Sequence, residues 1–342
     1  MTGGLTHWAA WAISRLRRTK IAFDYFAKEL WIVRPVEPVM RKHKLYPSMG
    51  LFVTAIATGG LVAPAIAQDL PPDIAAAPAQ VSPRTDVYAD TAFSGDFLTI
   101  GVGAGIGPSY SGSDDYVFKP LPIVQGSVGG ISFNPRPAGI AVDFIPDTPA
   151  QAGINLGVAA RLRSDRAANI KDDVVASLGK LDRAIEVGPT AGVRIPGVLN
   201  PYDSLSVSAD VLWDVNKAHG GMVVSPTVTY FTPLSRAFAA SLSVNAEWAD
   251  SGFHDYYYTV TPAQSLASGL PEFAPEGSGF TKAGTALLLA FDVDGDIANG
   301  GLGLFAIGSY SRMLGDAADT PYTSVRGSRD QLFGGIGVGY TF

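Results

Sequence analysis

Cysteine is absent from this 342-residue sequence, so disulfides and thiolate chemistry are excluded. That absence suits an envelope protein that crosses an oxidising compartment unfolded. Charge is sparse, at 16% Asp, Glu, Lys and Arg. Mean hydropathy is mildly positive at +0.19, yet no run of 18 apolar residues occurs after residue 67. A helical membrane protein needs such runs, whereas a membrane β-barrel hides its apolar residues in alternation with polar ones. Histidine is also scarce, with only His219 and His254 beyond residue 67, which disfavours a metal site built on imidazoles. Basic charge is missing from the body of the chain. Residues 1–67 carry nine Lys/Arg against three Asp/Glu, a net of +6, so with −6 for the whole chain the remainder carries −12. An acidic body argues against nucleic acid as a partner.

What is present begins with an export signal. Arg41, Lys42, His43 and Lys44 form a basic segment, Leu51 to Ile66 is apolar and rich in small residues, and Ala65-Ile66-Ala67 offers small residues at the two positions a signal peptidase reads. This pattern predicts a signal peptide over 40–67, cleaved after Ala67 to leave Gln68 first. A membrane anchor is the weaker reading, because the run is short, holds Gly59, Gly60 and Pro64, and lacks a positive flank after it. Residues 1–39 fit no signal peptide and read as an over-long gene start or a non-barrel extension, with Met40 the initiator. Residues 68–93, rich in Ala, Pro and Asp, read as a flexible periplasmic leader.

Residues 94–342 are written in a period of two. Leu205, Val207, Ala209, Val211, Trp213 and Val215 alternate with polar residues, with Leu212 the exception; Phe238 to Trp248, Ile154 to Leu162 and Ile185 to Ile195 do the same. Alternating side chains on a strand face opposite sides, so each run has an apolar and a polar face. The runs are long enough to cross hydrocarbon at a tilt. Strands of a soluble sandwich also alternate but are shorter. Trp213, Trp248, Tyr230, Tyr310, Tyr340 and Phe342 fall near strand ends, where aromatic girdles sit. The expected fold is an all-β, antiparallel transmembrane barrel of about 12 strands with both termini periplasmic. The strands centre on 96–107, 116–126, 128–134, 138–146, 153–164, 183–195, 204–217, 221–232, 236–250, 279–293, 300–313 and 330–342. The second to fourth are the least regular, interrupted by Pro120, Pro122, Pro135 and Pro137. Long connections (108–115, 165–182, 251–278 and 314–329, with short 135–137 and 218–220) fall on the extracellular side, and short turns on the periplasmic side. The last strand alternates through Leu332, Ile336, Val338, Tyr340 and Phe342; its aromatic end is read as the signal for the outer-membrane assembly machinery.

Particular motifs carry a family resemblance. Gly107-Pro108-Ser109-Tyr110-Ser111-Gly112-Ser113-Asp114-Asp115-Tyr116, followed by Pro120-Leu121-Pro122, is similar to the N-terminal signature of the MltA-interacting protein (MipA/OmpV) family. Tyr257-Tyr258-Thr259-Val260-Thr261-Pro262, then Ser268-Gly269-Leu270-Pro271, resembles its long loop. Tyr310-Ser311-Arg312-Met313-Leu314-Gly315-Asp316-Ala317-Ala318-Asp319-Thr320-Pro321 resembles its penultimate strand and loop, and Gly327 to Gln331 with the Gly339-Tyr340-Thr341-Phe342 end completes the match over 95–342. Thr259 stands where Gly is expected, and Thr320 where Ser is usual. The resemblance implies a non-enzymatic outer-membrane protein that bridges a lytic transglycosylase and a peptidoglycan synthase. It also implies links to adhesion, osmotic response and antibiotic susceptibility.

Candidate chemistry is thin elsewhere. Ser251, His254 and Asp255 contain the residue types of a hydrolase, but a mobile loop rarely holds a triad. Asp292, Asp294, Asp296 and Asn299 around Gly295 lack the ligand spacing of a calcium loop and read as a solvated turn. Neither a cofactor nor a metal is expected. Alternation points Arg161, Arg163, Glu186, Arg194, Asp210, Asp214 and Glu247 into the lumen. Interior charges line water or pair with one another, so a charge ladder between the fifth and sixth strands is expected. A barrel of this size admits a small solute unless loops plug it. A narrow diffusion channel, or an adhesin acting through its loops, is therefore the alternative to a scaffold. Within 165–182, Asp172, Asp173, Val174, Val175, Leu178 and Leu181 fit a short amphipathic helix.

Overall fold

The computed structural model describes residues 91–146 and 151–342. The signal peptide and the extension before it, and all of the leader but its last three residues, lie outside the described residues. Twelve antiparallel strands close into one barrel: β1 (Phe97–Pro108), β2 (Tyr116–Val128), β3 (Ile131–Arg136), β4 (Gly139–Asp143), β5 (Gly153–Arg163), β6 (Ala184–Pro196), β7 (Ser204–Asp214), β8 (Met222–Pro233), β9 (Phe238–Ala249), β10 (Gly279–Asp292), β11 (Gly301–Met313) and β12 (Asp330–Thr341). Each strand pairs with its neighbours in sequence, and β1 pairs with β12 through Thr99↔Thr341 to Ile106↔Gly334. Closure leaves no sheet edge at the ends of the chain, as a barrel in lipid requires. No helix among the described residues is long and apolar enough to cross a membrane; the crossing is made by strands.

The period of two explains which way each strand faces. Ile154, Leu156, Val158 and Leu162 on β5 are exposed on the outside, as are Leu332, Ile336, Val338 and Tyr340 on β12. These side chains meet lipid, so exposure here is burial in hydrocarbon. Leu212, which breaks the alternation, turns inward and packs with Ala141 and Ala159. Trp213 and Tyr310 lie outward at the extracellular rim, and Tyr340 and Phe342 outward at the periplasmic rim. Tyr230 instead donates its hydroxyl to Asp203 Oδ2 at 2.7 Å, tying β8 to the 197–203 turn.

Two features depart from the sequence expectation. β3 and β4 have only six and five residues, and their turn falls at Pro137–Ala138 rather than across 135–137. The long extracellular connections are not irregular: besides the expected short helix α1 (Asp173–Ala176), they fold into α2 (Ser251–Tyr258), α3 (Pro262–Ser268), α4 (Gly315–Asp319) and α5 (Pro321–Ser324). Asp250 caps α2 by accepting from the Phe253 amide, and Thr261 with Gln264 forms a capping box on α3. Gly269, at φ 74°, ends α3 in the left-handed region.

The seam between the first and last strands has little side-chain bulk on its inner face. A Cβ at Gly103 would sit 2.9 Å from the Phe305 ring, and one at Gly105 would sit 2.6 Å from the Phe333 ring. The glycines let two large rings lie flat against backbone, inside the lumen. Gly337→Val is expected to destabilise the barrel by about 1–3 kcal/mol through overpacking, because its Cβ would meet the Phe305 ring and the Val102 carbonyl oxygen. Gly334→Ala, with nothing within 4 Å, should be neutral. The check is the urea midpoint of each variant in lipid vesicles, read as the heat-modifiable band on a gel.

Candidate functional site: a charged bridge beneath an aromatic cap

Arg161 and Arg163 project from the inner face of β5. Arg161 pairs in register with Glu186 on β6, and its Nε donates to Glu186 Oε2 at 2.7 Å. Arg163 Nε donates to Glu186 Oε1 at 2.6 Å. Both arginines also reach Glu247 on β9, at 3.1 Å from Arg161 Nη1 and 2.9 Å from Arg163 Nη2. Strands β5 and β9 are not neighbours, so these contacts cross the lumen. Lys282 on β10 adds a contact to Glu247 at 3.6 Å, and the Thr281 hydroxyl donates to Glu247 Oε1 at 3.0 Å. His219 completes the shell. The Gly221 amide donates to its Nδ1 at 3.0 Å, leaving Nε2 to donate to Glu186 Oε1 at 3.3 Å. The side chains of Glu186 and Glu247 are 0% and 5% exposed. Carboxylates so far from water persist only with close counter-charges and filled hydrogen bonds.

A second bridge crosses lower down. Arg136 on β3 contacts Asp210 on β7 at 2.8 Å, and the Thr190 hydroxyl donates to Asp210 Oδ1 at 2.6 Å. The remaining two expected lumen charges are placed otherwise. Asp214 ends β7 and accepts from the amides of Asn216, His219 and Gly220 at 2.7–3.0 Å, so it organises a turn instead of joining the network. Arg194 lies in register with Gly153 and Ser206 and makes no ion pair among the described residues. Neither register partner carries a charge.

Above the upper bridge sits the cap. Tyr110, Val175, Leu178, Phe253, Tyr257, Tyr258, Leu270, Ala317 and Tyr322 form one buried cluster drawn from four loops. The guanidinium of Arg163 lies 4.7 Å from the Phe253 ring centre and 5.9 Å from that of Tyr257, so the cap rests on the bridge by cation–π contact. Tyr322 donates to the Tyr257 carbonyl at 2.6 Å, Tyr110 to the Tyr322 carbonyl at 3.3 Å, and Thr320 to the Tyr258 carbonyl at 2.9 Å. Burial pushes the phenols of Tyr110, Tyr257, Tyr258 and Tyr322 well above their ordinary range. They therefore stay protonated, and those of Tyr110 and Tyr322 keep donating.

The motif residues from several loops gather here. Ser109 and Tyr110 are buried, and Gly112, at φ 97°, receives the Ser328 amide on its carbonyl and donates to Gln331. Gly315, at φ 49°, opens α4, where Asp316 stands 2.7 Å from His254 Nδ1. The Leu314 amide donates to the Thr281 carbonyl, and Arg312 pairs with Asp330 at 2.8 Å. Pro262 and Pro321 start α3 and α5. Asp114 and Pro271 are exposed. The imagined hydrolase set is not assembled: His254 has Asp316 on one nitrogen and the Gly279 carbonyl on the other, while Asp255 is exposed. The acidic turn at 292–296 is a local one, with Asp292 Oδ1 accepting three successive amides and Gly295 at φ 95°. Around α1, the single-turn helix expected from 165–182, Asp172 accepts from the Val175 amide and pairs with Arg326 at 2.7 Å. Lys282, Arg136 and His219 escaped the sequence reading of the lumen, while Asp316 was singled out there only as part of the family motif.

Two measurements test this architecture. Glu247→Gln should cost about 3–5 kcal/mol, because it leaves buried arginines short of counter-charge. The Arg163→Met, Glu247→Met double variant should lose less than the sum of its singles. Additive losses in vesicle unfolding would show that the two do not share one network. At Asp172 burial favours the neutral acid, but the Val175 amide and Arg326 outweigh it and hold the carboxyl below its ordinary 3.8. A depressed folded value means this contribution is complete above 3.8 and fades as pH falls below it. Pepsin cleavage of the cap should therefore rise as pH drops below that value, and Arg326→Ala should flatten the dependence.

The profile of the family described as MltA-interacting protein MipA matches residues 100–342. A search of curated protein sequences finds no match. Among solved structures, an outer membrane channel from Pseudomonas putida F1 is 11% identical, covers 72% of this chain and 96% of its own, and gives a TM-score of 0.39. The toluene transporter TodX from Pseudomonas putida is 9% identical over 73% of this chain and 90% of its own, with a TM-score of 0.30. The outer membrane protein OprD from Pseudomonas aeruginosa is 12% identical over 72% and 94%, with a TM-score of 0.24.

Proposed function

The chain belongs to the MltA-interacting protein family, and on that premise we propose that this outer-membrane barrel is a non-enzymatic scaffold. In this reading it holds a lytic transglycosylase and a peptidoglycan synthase at the inner surface of the outer membrane. The observation that carries the reading is the bridge from β5 to β9 beneath the packed cap. A barrel built to conduct keeps its interior charges in water. Here four of them neutralise one another across the lumen, and the extracellular mouth is filled by aromatic rings. Protein contact, not flow, is what such a body offers. Partners from the cell wall would meet the periplasmic rim, where both ends of the barrel and its short turns lie.

The same reading includes export by a signal peptide over 40–67 and a leader over 68–93. It includes insertion by the assembly machinery through the strand that ends in Tyr340 and Phe342. Murein enzymes are expected to co-isolate with the protein after chemical crosslinking in cells, and the purified barrel is expected to give no discrete conductance steps in a planar bilayer. Steps that change size with Arg161→Gln, and no crosslinked murein enzyme, would replace the scaffold by a narrow channel.

A further inference from the structure

The wall of the barrel is incomplete on one side. β2 pairs with β1 along its whole length, from Phe97↔Ser127 to Pro108↔Tyr116. Its pairing with β3 covers only Gly126↔Phe133, Ser127↔Ser132 and Val128↔Ile131. Among the described residues, Tyr116 to Gln125 therefore have no strand partner on that side. β3 and β4 turn back at Pro137–Ala138, and β4 pairs with β5 only from Asp143↔Gly157 to Gly139↔Arg161. Above that turn, β2 and β5 are three strand spacings apart, about 14 Å.

The backbone chemistry follows the gap. Leu98 and Phe342 exchange both their hydrogen bonds, so even-numbered residues of β1 face β12 and odd-numbered ones face β2. The odd-numbered partners on β2 (Lys119, Leu121, Ile123) thus bond to β1, and Phe118, Pro120, Pro122 and Val124 turn their backbone toward the gap. Pro120 and Pro122 have no N–H to leave unsatisfied there. If the register continued, Val124 would meet Pro135 and Pro122 would meet Pro137, so two prolines on each facing edge stop the ladder. A strand from another protein adding to this edge would find no donor at either proline. An open edge in lipid is otherwise costly; here it has been made cheaper to keep. Overhead, the gap is roofed by the Ser111 amide donating to Asp165 Oδ1 at 2.8 Å.

Inside, the surface on the β2 side of the gap is largely apolar, whereas the arginines of the opposite side, Arg136, Arg161 and Arg163, are already held by Asp210, Glu186 and Glu247. Leu121 reaches toward Gly335, and the rings of Phe305 and Phe333 lie on the glycine seam. Lys119 is the charged residue of β2, faces the lumen beside Gly107 and Phe333, and makes no salt bridge among the described residues, with Asp165 and Lys282 the charged groups nearest to act on it. We propose that the gap is a lateral opening through which a single-chain anionic amphiphile passes between the outer leaflet and the lumen. Its chain lies on Leu121, Phe305 and Phe333, and its head meets Lys119. The cap denies this route to polar solutes from the medium, while a molecule already in the bilayer enters without crossing it.

The test uses the full-length protein, processed by the cell and purified into lipid vesicles that contain a long-chain fatty acid bearing a diazirine at the chain end. After illumination, labelled residues are mapped by mass spectrometry. Inner-face labels on Leu121, Phe305 or Phe333 are expected beside outer-face labels on Phe118 and Ile336. Lys119→Gln should lower the inner labels about fivefold, the scale of one exposed charge contact, and leave the outer ones unchanged. The methyl ester of the same probe should lose its dependence on Lys119. Labels confined to outward residues would overturn the opening. Inner labels indifferent to Lys119→Gln would overturn the assignment of the head. The outer labels report folding in every variant, and neither result bears on whether murein enzymes crosslink to the periplasmic rim.

Discussion

Arg163 is where the two halves of this molecule meet. Its guanidinium is shared between a carboxylate on β6 and one on β9, and its flat face carries the first aromatic ring of the cap. Charge this far from water is tolerated only when every partner is in place. The barrel cross-section, the helix α2 and the position of Glu247 therefore constrain one another. A change in strand register of one residue would send Arg163 into lipid and strand both glutamates. The bridge thus fixes register on the side of the barrel where it stands, and by holding Phe253 it fixes where the loops pack.

The strands were legible because lipid enforces a simple rule on one face of each. Ile154 to Leu162 and Phe238 to Trp248 show it without interruption, and their spans agree with the structure to within a residue or two. The cap was less legible. Apart from α1, which the pattern within 165–182 announced, its helices have four to eight residues, too few for a period of 3.6 to declare itself. The capping signals at Asp250 and at Thr261 with Gln264 were in the sequence, but they were masked by reading 251–278 as one loop. Lys282 escaped for a different reason. The register shifts between Phe280 and Lys282, and such an irregularity brings Thr281 and Lys282 to the same glutamate against the alternation. Asp214 kept the right phase but stands at a strand end, where turn amides captured its carboxylate. Arg136 escaped because its strand is short and broken by Pro135.

Those prolines show how an irregularity in a pattern can be its content. Taken as noise in β2 and β3, they only blur two boundaries. Placed on facing edges by the register, they lie where hydrogen bonding between the strands ceases. The first family motif spans both this edge and the loop that carries Tyr110 into the cap. One stretch of sequence therefore serves wall and cap together, which is why Pro120-Leu121-Pro122 follows so closely on the Ser109 to Tyr116 run.

The glycine seam has a consequence for the order in which the molecule is made. β1 is the first strand of the barrel and β12 the last; the Phe305 ring lies on Gly103 of β1 and Gly337 of β12, and the Phe333 ring, carried by β12, lies on Gly105 and Gly107 of β1. Until the ends meet, Phe333 has no glycine of β1 to lie on, and Phe305 rests on Gly337 alone. Zipping the cylinder shut and filling its interior are thus a single late step, and the barrel has no stable half-built state with its aromatic ballast already stowed. A chain that stalls before β12 closes on β1 carries the Phe333 ring unseated in its lumen.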